Sequence, residues 1–151
     1  YINDMKKNLK KTPQYLGVIG WWSLEYDFEM LKMHFPNIDM NSENLKKFLK
    51  HFKMKMVTHK AFLNEIKNHK LLGQLLNEED LLKNFRIYEG IDRFNFCVLR
   101  FNRVLGIFLT DKTDIDFQNN LFFKNNEGAL EFFEELLDFY WERSTPLKNF
   151  L

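Results

Sequence analysis

Three short apolar runs separated by helical segments constrain the fold of this chain more than any other feature. The runs lie at residues 15–19, 54–57 and 85–88, and each has the length of a buried strand. The stretches between them carry apolar residues at helical spacing. Because strand–helix–strand crossovers are right-handed and return the chain to the same end of a sheet, we predict that these three strands are parallel.

The chain after the third run is predicted to extend the same sheet. Two β-rich runs, 94–99 and 104–109, are tightly joined near residues 102–103, which indicates a hairpin. Residues 111–120 are polar and predict a loop, and residues 121–123 predict one more short strand.

Helix starts are indicated by capping residues. The spacing of apolar residues predicts a last amphipathic helix from about residue 127 to residue 143, with Asn125 or Asn126 as its N-cap. Ser42 and Thr58 are the predicted N-caps of two earlier helices.

These elements predict one α/β domain over residues 1–151, with a mixed, mostly parallel sheet, a C-terminal antiparallel hairpin and helices covering the sheet. The 22 basic and 21 acidic side chains leave a net charge of +1, which exerts no strong pull on nucleic acids or anionic membranes. Cys97 is the single cysteine, so no internal disulfide forms, which fits a cytoplasmic compartment. No apolar run approaches the ~20 residues needed to span a bilayer, and no membrane partner is predicted.

The motifs of catalysis and metal binding are incomplete in this sequence. Residues 51–53, His-Phe-Lys, begin the His-x-Lys-x4-Asp pattern of phospholipase D-like phosphodiesterases, but Thr58 occupies the Asp position. The acidic cluster at residues 111–116 has Asp116 where a calcium-binding EF-hand loop needs glycine. We therefore predict no catalytic residues, no metal site and no cofactor, and we expect that the chain is not an enzyme.

Aromatic and polar residues follow the three predicted parallel strands. Trp21 and Trp22 come just after the first strand, His59 follows the second, and Tyr88 and Glu89 follow the third. The carboxyl ends of parallel strands share one rim, where open α/β sheets bind ligands. Aromatic rings with a few polar groups are typical of small-molecule pockets, so these five residues are the predicted ligand-binding site. The alternative is that both tryptophans pack under the next helix.

A family resemblance covers residues 106–144 best and most of the chain weakly. The residues that match are Gly106, Asp116, Leu121, Ala129, Leu136, Tyr140 and Ser144. In this pattern they resemble the C-terminal effector domain of the archaeal winged-helix transcriptional regulators named after the methanogenesis regulatory protein. The chain departs from the family pattern where Ile115 replaces an aromatic residue, Asn120 replaces Asp, and Phe132-Phe133 replace Trp-Gly.

The resemblance implies an effector-sensing or dimerising domain of a transcriptional regulator. It implies a homodimer, a small-molecule effector, and DNA contact only through a winged helix that lies outside these residues. Phe132, Phe139 and Trp141 lie off the buried stripe of the last helix and are the predicted dimer face. The family's sheet is similar to that of phospholipase D-like proteins without their catalytic residues. Two alternatives stay open: a hydrolase or phosphodiesterase with an unfamiliar set of residues, and a ligand-free protein-interaction module.

Overall fold

The protein is built around one seven-stranded sheet. The computed structural model describes residues 14–20, 32–33, 36–37, 39, 41–50, 52–70, 72–75, 77–110 and 115–151. The strands are β1 (Gln14–Gly20), β2 (Phe52–His59), β3 (Phe85–Tyr88), β4 (Phe96–Phe101), β5 (Val104–Thr110), β6 (Ile115–Lys124) and β7 (Thr145–Pro146). The α-helices in the described part are α1 (Ser42–Lys50), α2 (Ala61–Asn68), α3 (Leu72–Leu75), α4 (Glu79–Leu82) and α5 (Glu127–Glu142), and a 3-10 helix covers Leu147–Phe150.

The strand order is β6-β5-β4-β1-β2-β3-β7. β1, β2 and β3 are parallel neighbours, which confirms the prediction for the first three strands. The four other pairings are antiparallel, so the prediction of a mostly parallel sheet is wrong. The reason is that β6 extends the hairpin by another antiparallel strand and β7 adds one at the opposite edge. Antiparallel neighbours need only short links, and the second half of the chain supplies them.

One face of the sheet is covered by α5. Phe133 and Leu137 of this helix are fully buried against Ile19, Val57 and other strand residues. The side chain of Asn126 accepts a hydrogen bond from the backbone N–H of Ala129 at 2.9 Å, which confirms Asn126 as the N-cap. In the described part of the chain, three helices have eight residues or more: α1, α2 and α5.

The other face of the sheet packs against α2 and the C-terminal 3-10 helix. Phe62 and Ile66 of α2 join Val18, Met56 and Leu147 in this second layer of the core. Both faces of the central strands therefore carry buried residues, which explains why their sequences are largely apolar; the exceptions include Lys55 of β2 and Arg86 of β3, which lie over the ring of Trp141.

Two predicted helix caps are wrong. Thr58 belongs to β2, which continues to His59, and α2 begins only at Ala61. The helix α1 begins at Ser42, but the cap is Asn41, whose side chain accepts a hydrogen bond from the backbone N–H of Asn44 at 2.9 Å.

The β4–β5 hairpin is confirmed, with Asn102 in the left-handed region at φ 50°. The predicted loop at residues 111–120 is wrong from Ile115 onward, because β6 starts there and pairs with β5. The β5–β6 register shifts at a bulge between Phe108 and Leu109. Beyond the bulge, the polar first part of β6 pairs with the end of β5 as an edge strand. No helix in the described part of the chain is long and apolar enough to cross a membrane.

Candidate functional site

The carboxyl ends of β2 and β3 lie side by side. His59 and Tyr88 are the last residues of their strands and are paired in the sheet register. Glu89 follows Tyr88, and its carboxylate lies 3.8 Å from the ammonium of Lys60, the residue after His59. Three predicted ligand-binding residues are therefore neighbours at one rim. Trp21 and Trp22 lie outside the described residues.

Gly20 closes the adjacent end of β1. Its φ of +90° is a conformation that side-chain-bearing residues rarely adopt. A Cβ atom at this position would lie 2.3 Å from the backbone oxygen of Phe96. Only glycine lets β1 end this close to the start of β4, which fixes the position of the rim.

An aromatic cluster fills the space between the rim and α5. We define it as His59, Tyr88, Phe94, Phe96 and Tyr140. Phe94 is its centre, with ring centroids 6.2 Å from His59, 6.1 Å from Tyr88, 5.2 Å from Phe96 and 5.3 Å from Tyr140. Most of these contacts are edge-to-face or tilted, which is a favourable arrangement for aromatic rings.

Phe94 and Phe96 were not among the predicted site residues. A signal is present in the sequence, because the two phenylalanines are two residues apart in the run 94–99 that predicts a strand, and alternate residues of a strand point to the same face. In the structure β4 begins only at Phe96, and Phe94 lies just before it. Tyr140 was recognised only as a family-motif residue of the last helix. It approaches Tyr88 edge-on, with 5.0 Å between the ring centroids. Burial and the nearby Tyr88 hydroxyl raise the pKa of Tyr140.

His59 is a buried imidazole in this cluster. Its side chain is 1% exposed, and burial together with the positive charge of Arg93 lowers its pKa from 6.5 to about 4. The ring is therefore neutral at physiological pH, with one nitrogen that donates and one that accepts.

Unpartnered polar atoms are concentrated at this point of the sheet. In the described part of the chain, the buried side-chain nitrogens and oxygens without a hydrogen-bond partner are Thr58 Oγ1 and the two ring nitrogens of His59. Buried polar groups in native proteins almost always have partners, so two consecutive unsatisfied residues at a strand end need an explanation.

Two of the family-motif residues have clear packing roles. Gly106 lies in β5 where a Cβ would meet the rings of Phe108 and Phe122 at 2.8 to 3.1 Å, so glycine makes room for these two rings. Ser144 is buried just after α5; it donates to the carbonyl of Trp141 at 2.9 Å and accepts from Arg86 Nε at 3.0 Å. Ser144 therefore ties the end of α5 to β3.

The other motif residues lie on β6 and α5. Ala129 and Leu136 are half-buried residues of α5, Leu121 is exposed on β6 opposite Ile107, and the backbone of Asp116 pairs with β5. The motif therefore marks how α5 and β6 pack, and only Tyr140 reaches the rim.

The predicted dimer face is divided by the structure. Phe132 and Phe139 are 47% and 46% exposed, whereas Trp141 is half-buried with Lys55 and Arg86 over its ring at 5.0 and 5.1 Å. Trp141 therefore packs within its own chain through cation–π contacts, and the exposed aromatic strip of α5 consists of the two phenylalanines.

The partial phosphodiesterase motif is spread along β2. Lys53 lies near the start of this strand and Thr58 near its end, and Thr58 is fully buried. His51 lies outside the described residues. In the described part of the chain there is no group of three or more His, Cys, Asp or Glu side chains arranged to hold a metal ion.

The fold and the rim together define a mixed α/β domain with an aromatic cluster at the ends of its parallel strands. No protein-family model and no curated protein matches the sequence. Among solved structures the chain is similar to TrmBL2, an archaeal chromatin protein whose structure shows a novel mode of DNA binding. The TM-score is 0.55 and the identity is 14%, over 96% of this chain and 50% of TrmBL2. The chain thus spans half the length of TrmBL2 and shares the fold of that half.

Proposed function

We propose that this chain is the regulatory domain of an archaeal transcriptional regulator, which senses a small-molecule effector and forms a homodimer. DNA contact then belongs to a winged helix outside these residues. The observation that carries the proposal is the extent of the fold similarity: nearly the whole chain aligns with one half of an archaeal chromatin protein whose structure shows DNA binding. The motif resemblance at residues 106–144 supports the same class independently.

The rim supports an effector role for the domain. His59, Tyr88 and Glu89 meet at the ends of parallel strands, which is where open α/β sheets bind ligands. A buried, unpartnered imidazole beside tyrosine and phenylalanine rings combines apolar surface with a few polar groups, as small-molecule sites do. We propose a binding role and not a catalytic one, because Thr58 stands where the phosphodiesterase pattern requires an aspartate.

Thermal-shift screening against a metabolite collection tests the effector role. A compound that binds only the folded chain adds roughly 2.7 kcal/mol to the free energy of unfolding when its concentration is a hundred times Kd. The apparent Tm rises as a consequence. We expect at least one compound to raise the Tm of the wild type and to raise that of Tyr88→Ala much less. Mass spectrometry of the compound after incubation with the protein is expected to show it chemically unchanged. Conversion of the compound would instead support the hydrolase alternative.

The exposed aromatic strip supports the homodimer. Phe132 and Phe139 are separated by two helical turns and therefore lie on one side of α5. We expect Phe132→Glu combined with Phe139→Glu to convert a dimer to a monomer in sedimentation velocity, because charged side chains are costly in an apolar interface. Phe122→Glu is the matched control, since Phe122 is 51% exposed but lies on β6, on the opposite face of the sheet. Loss of the dimer in the control alone would place the interface on β6 and contradict this assignment.

A further inference from the structure

We propose that His59 anchors a site for a small organic anion, a carboxylate or a phosphate ester, at the carboxyl end of β2 between the cations of Lys60 and Arg93. This inference rests on the proposed function, because it names the chemical class of the effector.

Hydrogen bonding is the first argument. The His59 ring is 1% exposed, and neither of its nitrogens has a partner in the described part of the chain. Leaving a buried polar group without a hydrogen-bond partner destabilises the folded chain. An anionic oxygen placed beside the ring accepts a hydrogen bond from an imidazole N–H and removes part of this penalty, whereas a purely apolar ligand leaves it in place.

Charge at the rim is the second argument. The titratable and charged groups around His59 are Lys60 on its own strand end, Tyr88 and Glu89 on β3, Arg93 after β3, and Tyr140 on α5. The contact between Lys60 and Glu89 is 3.8 Å long and at least half exposed, so the acid neutralises little of the lysine charge. Burial raises the pKa of Tyr140, so this phenol adds no negative charge at physiological pH.

The start of α2 adds to the positive potential. This helix begins at Ala61, directly after His59 and Lys60, and it has neither a side-chain cap nor an acidic residue in its first turn. The backbone N–H groups at a helix N-terminus favour negative charge, and the first turn of this helix contains no acidic residue that would supply it. A bound anion provides it.

The aromatic cluster determines the body of the ligand. The ring of Phe94 lies 6.2 Å from that of His59, and Tyr88 and Tyr140 pack in turn against Phe94, with centroid distances of 6.1 and 5.3 Å. Phe94 is fully buried, whereas the rings of Tyr88 and Tyr140 are half-buried and offer apolar contact area but few hydrogen bonds. The structure therefore favours an anion carried on an apolar or aromatic body over a bare inorganic ion.

Proton uptake is the consequence that distinguishes an anion from an uncharged ligand. Negative charge beside His59 opposes the effects of burial and of Arg93, and so it raises the pKa of the imidazole above its value of about 4. If the pKa returns to the ordinary 6.5, binding becomes about tenfold tighter at pH 5.5 than at pH 7.5.

Isothermal titration calorimetry with benzoate tests the proposal, and benzyl alcohol serves as the uncharged ligand of the same ring size. Benzoate stays ionised from pH 5.5 to pH 7.5, so a change of affinity over this range reports on the protein. We expect benzoate to bind about tenfold more tightly at pH 5.5 than at pH 7.5, with proton uptake visible as a dependence on buffer ionisation enthalpy. We expect benzyl alcohol to bind more weakly and without proton uptake.

Three variants complete the test. His59→Phe keeps an aromatic ring and is expected to abolish proton uptake. Lys60→Gln changes an exposed side chain, so the fold is retained, and it is expected to weaken benzoate binding several-fold. Lys70→Gln, an exposed lysine beyond the other end of α2, is the matched control and is expected to have no effect.

Several outcomes overturn the inference. Equal binding of benzoate and benzyl alcohol, the same affinity at both pH values, or no benzoate binding each contradicts an anion site. A metabolite that raises the Tm but carries no negative charge leaves the regulatory function in place and removes only the anion class. If no compound of the metabolite collection raises the Tm, by contrast, the regulatory proposal itself is contradicted.

Discussion

Gly17→Ala is expected to destabilise the protein by about 3 kcal/mol, because overpacking of a well-packed core costs about 1–3 kcal/mol and the partner here cannot move away. A Cβ on this residue would lie 2.5 Å from the ring of Phe133, which is itself fully buried. The glycine thus allows α5 to lie directly on β1. Urea denaturation monitored by circular dichroism measures the loss.

Gly128→Ala is the matched control for this substitution. Gly128 lies at the exposed start of α5, and the nearest atom to an added Cβ is 3.5 Å away. Alanine is the better helix former by up to about 1 kcal/mol, so this variant is expected to be as stable as the wild type or slightly more stable. The double variant Gly17→Ala/Phe133→Leu should regain part of the loss. A Gly17→Ala protein within 0.5 kcal/mol of the wild type, well below the expected cost of overpacking, would contradict the close packing of α5 on β1.

The second large effect is a loss of stability in acid through His59. Its pKa is about 4 in the folded chain and 6.5 when unfolded, so the unfolded chain binds more protons between these values. Above pH 6.5 the imidazole is neutral in both states, and its titration costs no stability. As the pH falls from 6.5 toward 4, the unfolded chain takes up the proton first, so the free energy of unfolding decreases. The difference of about two and a half pKa units corresponds to about 3 kcal/mol.

His59→Phe separates this effect from the titration of the carboxylates. The variant has no imidazole to protonate and leaves no unpartnered ring nitrogen buried. We expect it to be at least as stable as the wild type at pH 7.5 and to gain about 3 kcal/mol relative to it by pH 4. A difference between the two proteins that does not vary with pH would show that His59 does not lie in the environment described.

Much of this fold follows from regular patterns in the sequence. Apolar residues at a spacing of 3.6 define α5 and its buried residues Leu130, Phe133 and Leu137, and the Asn126 cap marks its start. The three parallel strands follow from short, largely apolar runs between helices, because a strand covered on both faces buries most of its residues.

The errors occur where neighbouring elements override local composition. The first half of β6 is polar and resembles a loop, but an edge strand is exposed on one side, so polar residues are compatible with pairing to β5. The strand β7 has only two residues, Thr145 and Pro146, and proline is accepted there because β7 lies at the edge of the sheet. Thr58 has the composition of a helix cap but extends β2, because pairing with Ile87 holds it in the sheet.

The candidate site was predicted in part. The strand-end rule brought His59, Tyr88 and Glu89 to one rim, which needs only the order of the parallel strands. The spacing of Phe94 and Phe96 predicts that these two rings share a face, but it does not predict that Tyr140 from the far end of α5 meets them, because that contact is long-range.

Sedimentation velocity with and without a compound that raises the Tm tests the central claim most directly. If the domain couples effector binding at the rim to assembly, the compound must change the ratio of monomer to dimer, since a ligand shifts an equilibrium only when its affinity for the two states differs. We expect such a change in the wild type and none in Tyr88→Ala. A compound that binds at the rim and leaves the sedimentation profile unchanged would contradict a regulatory role for this domain.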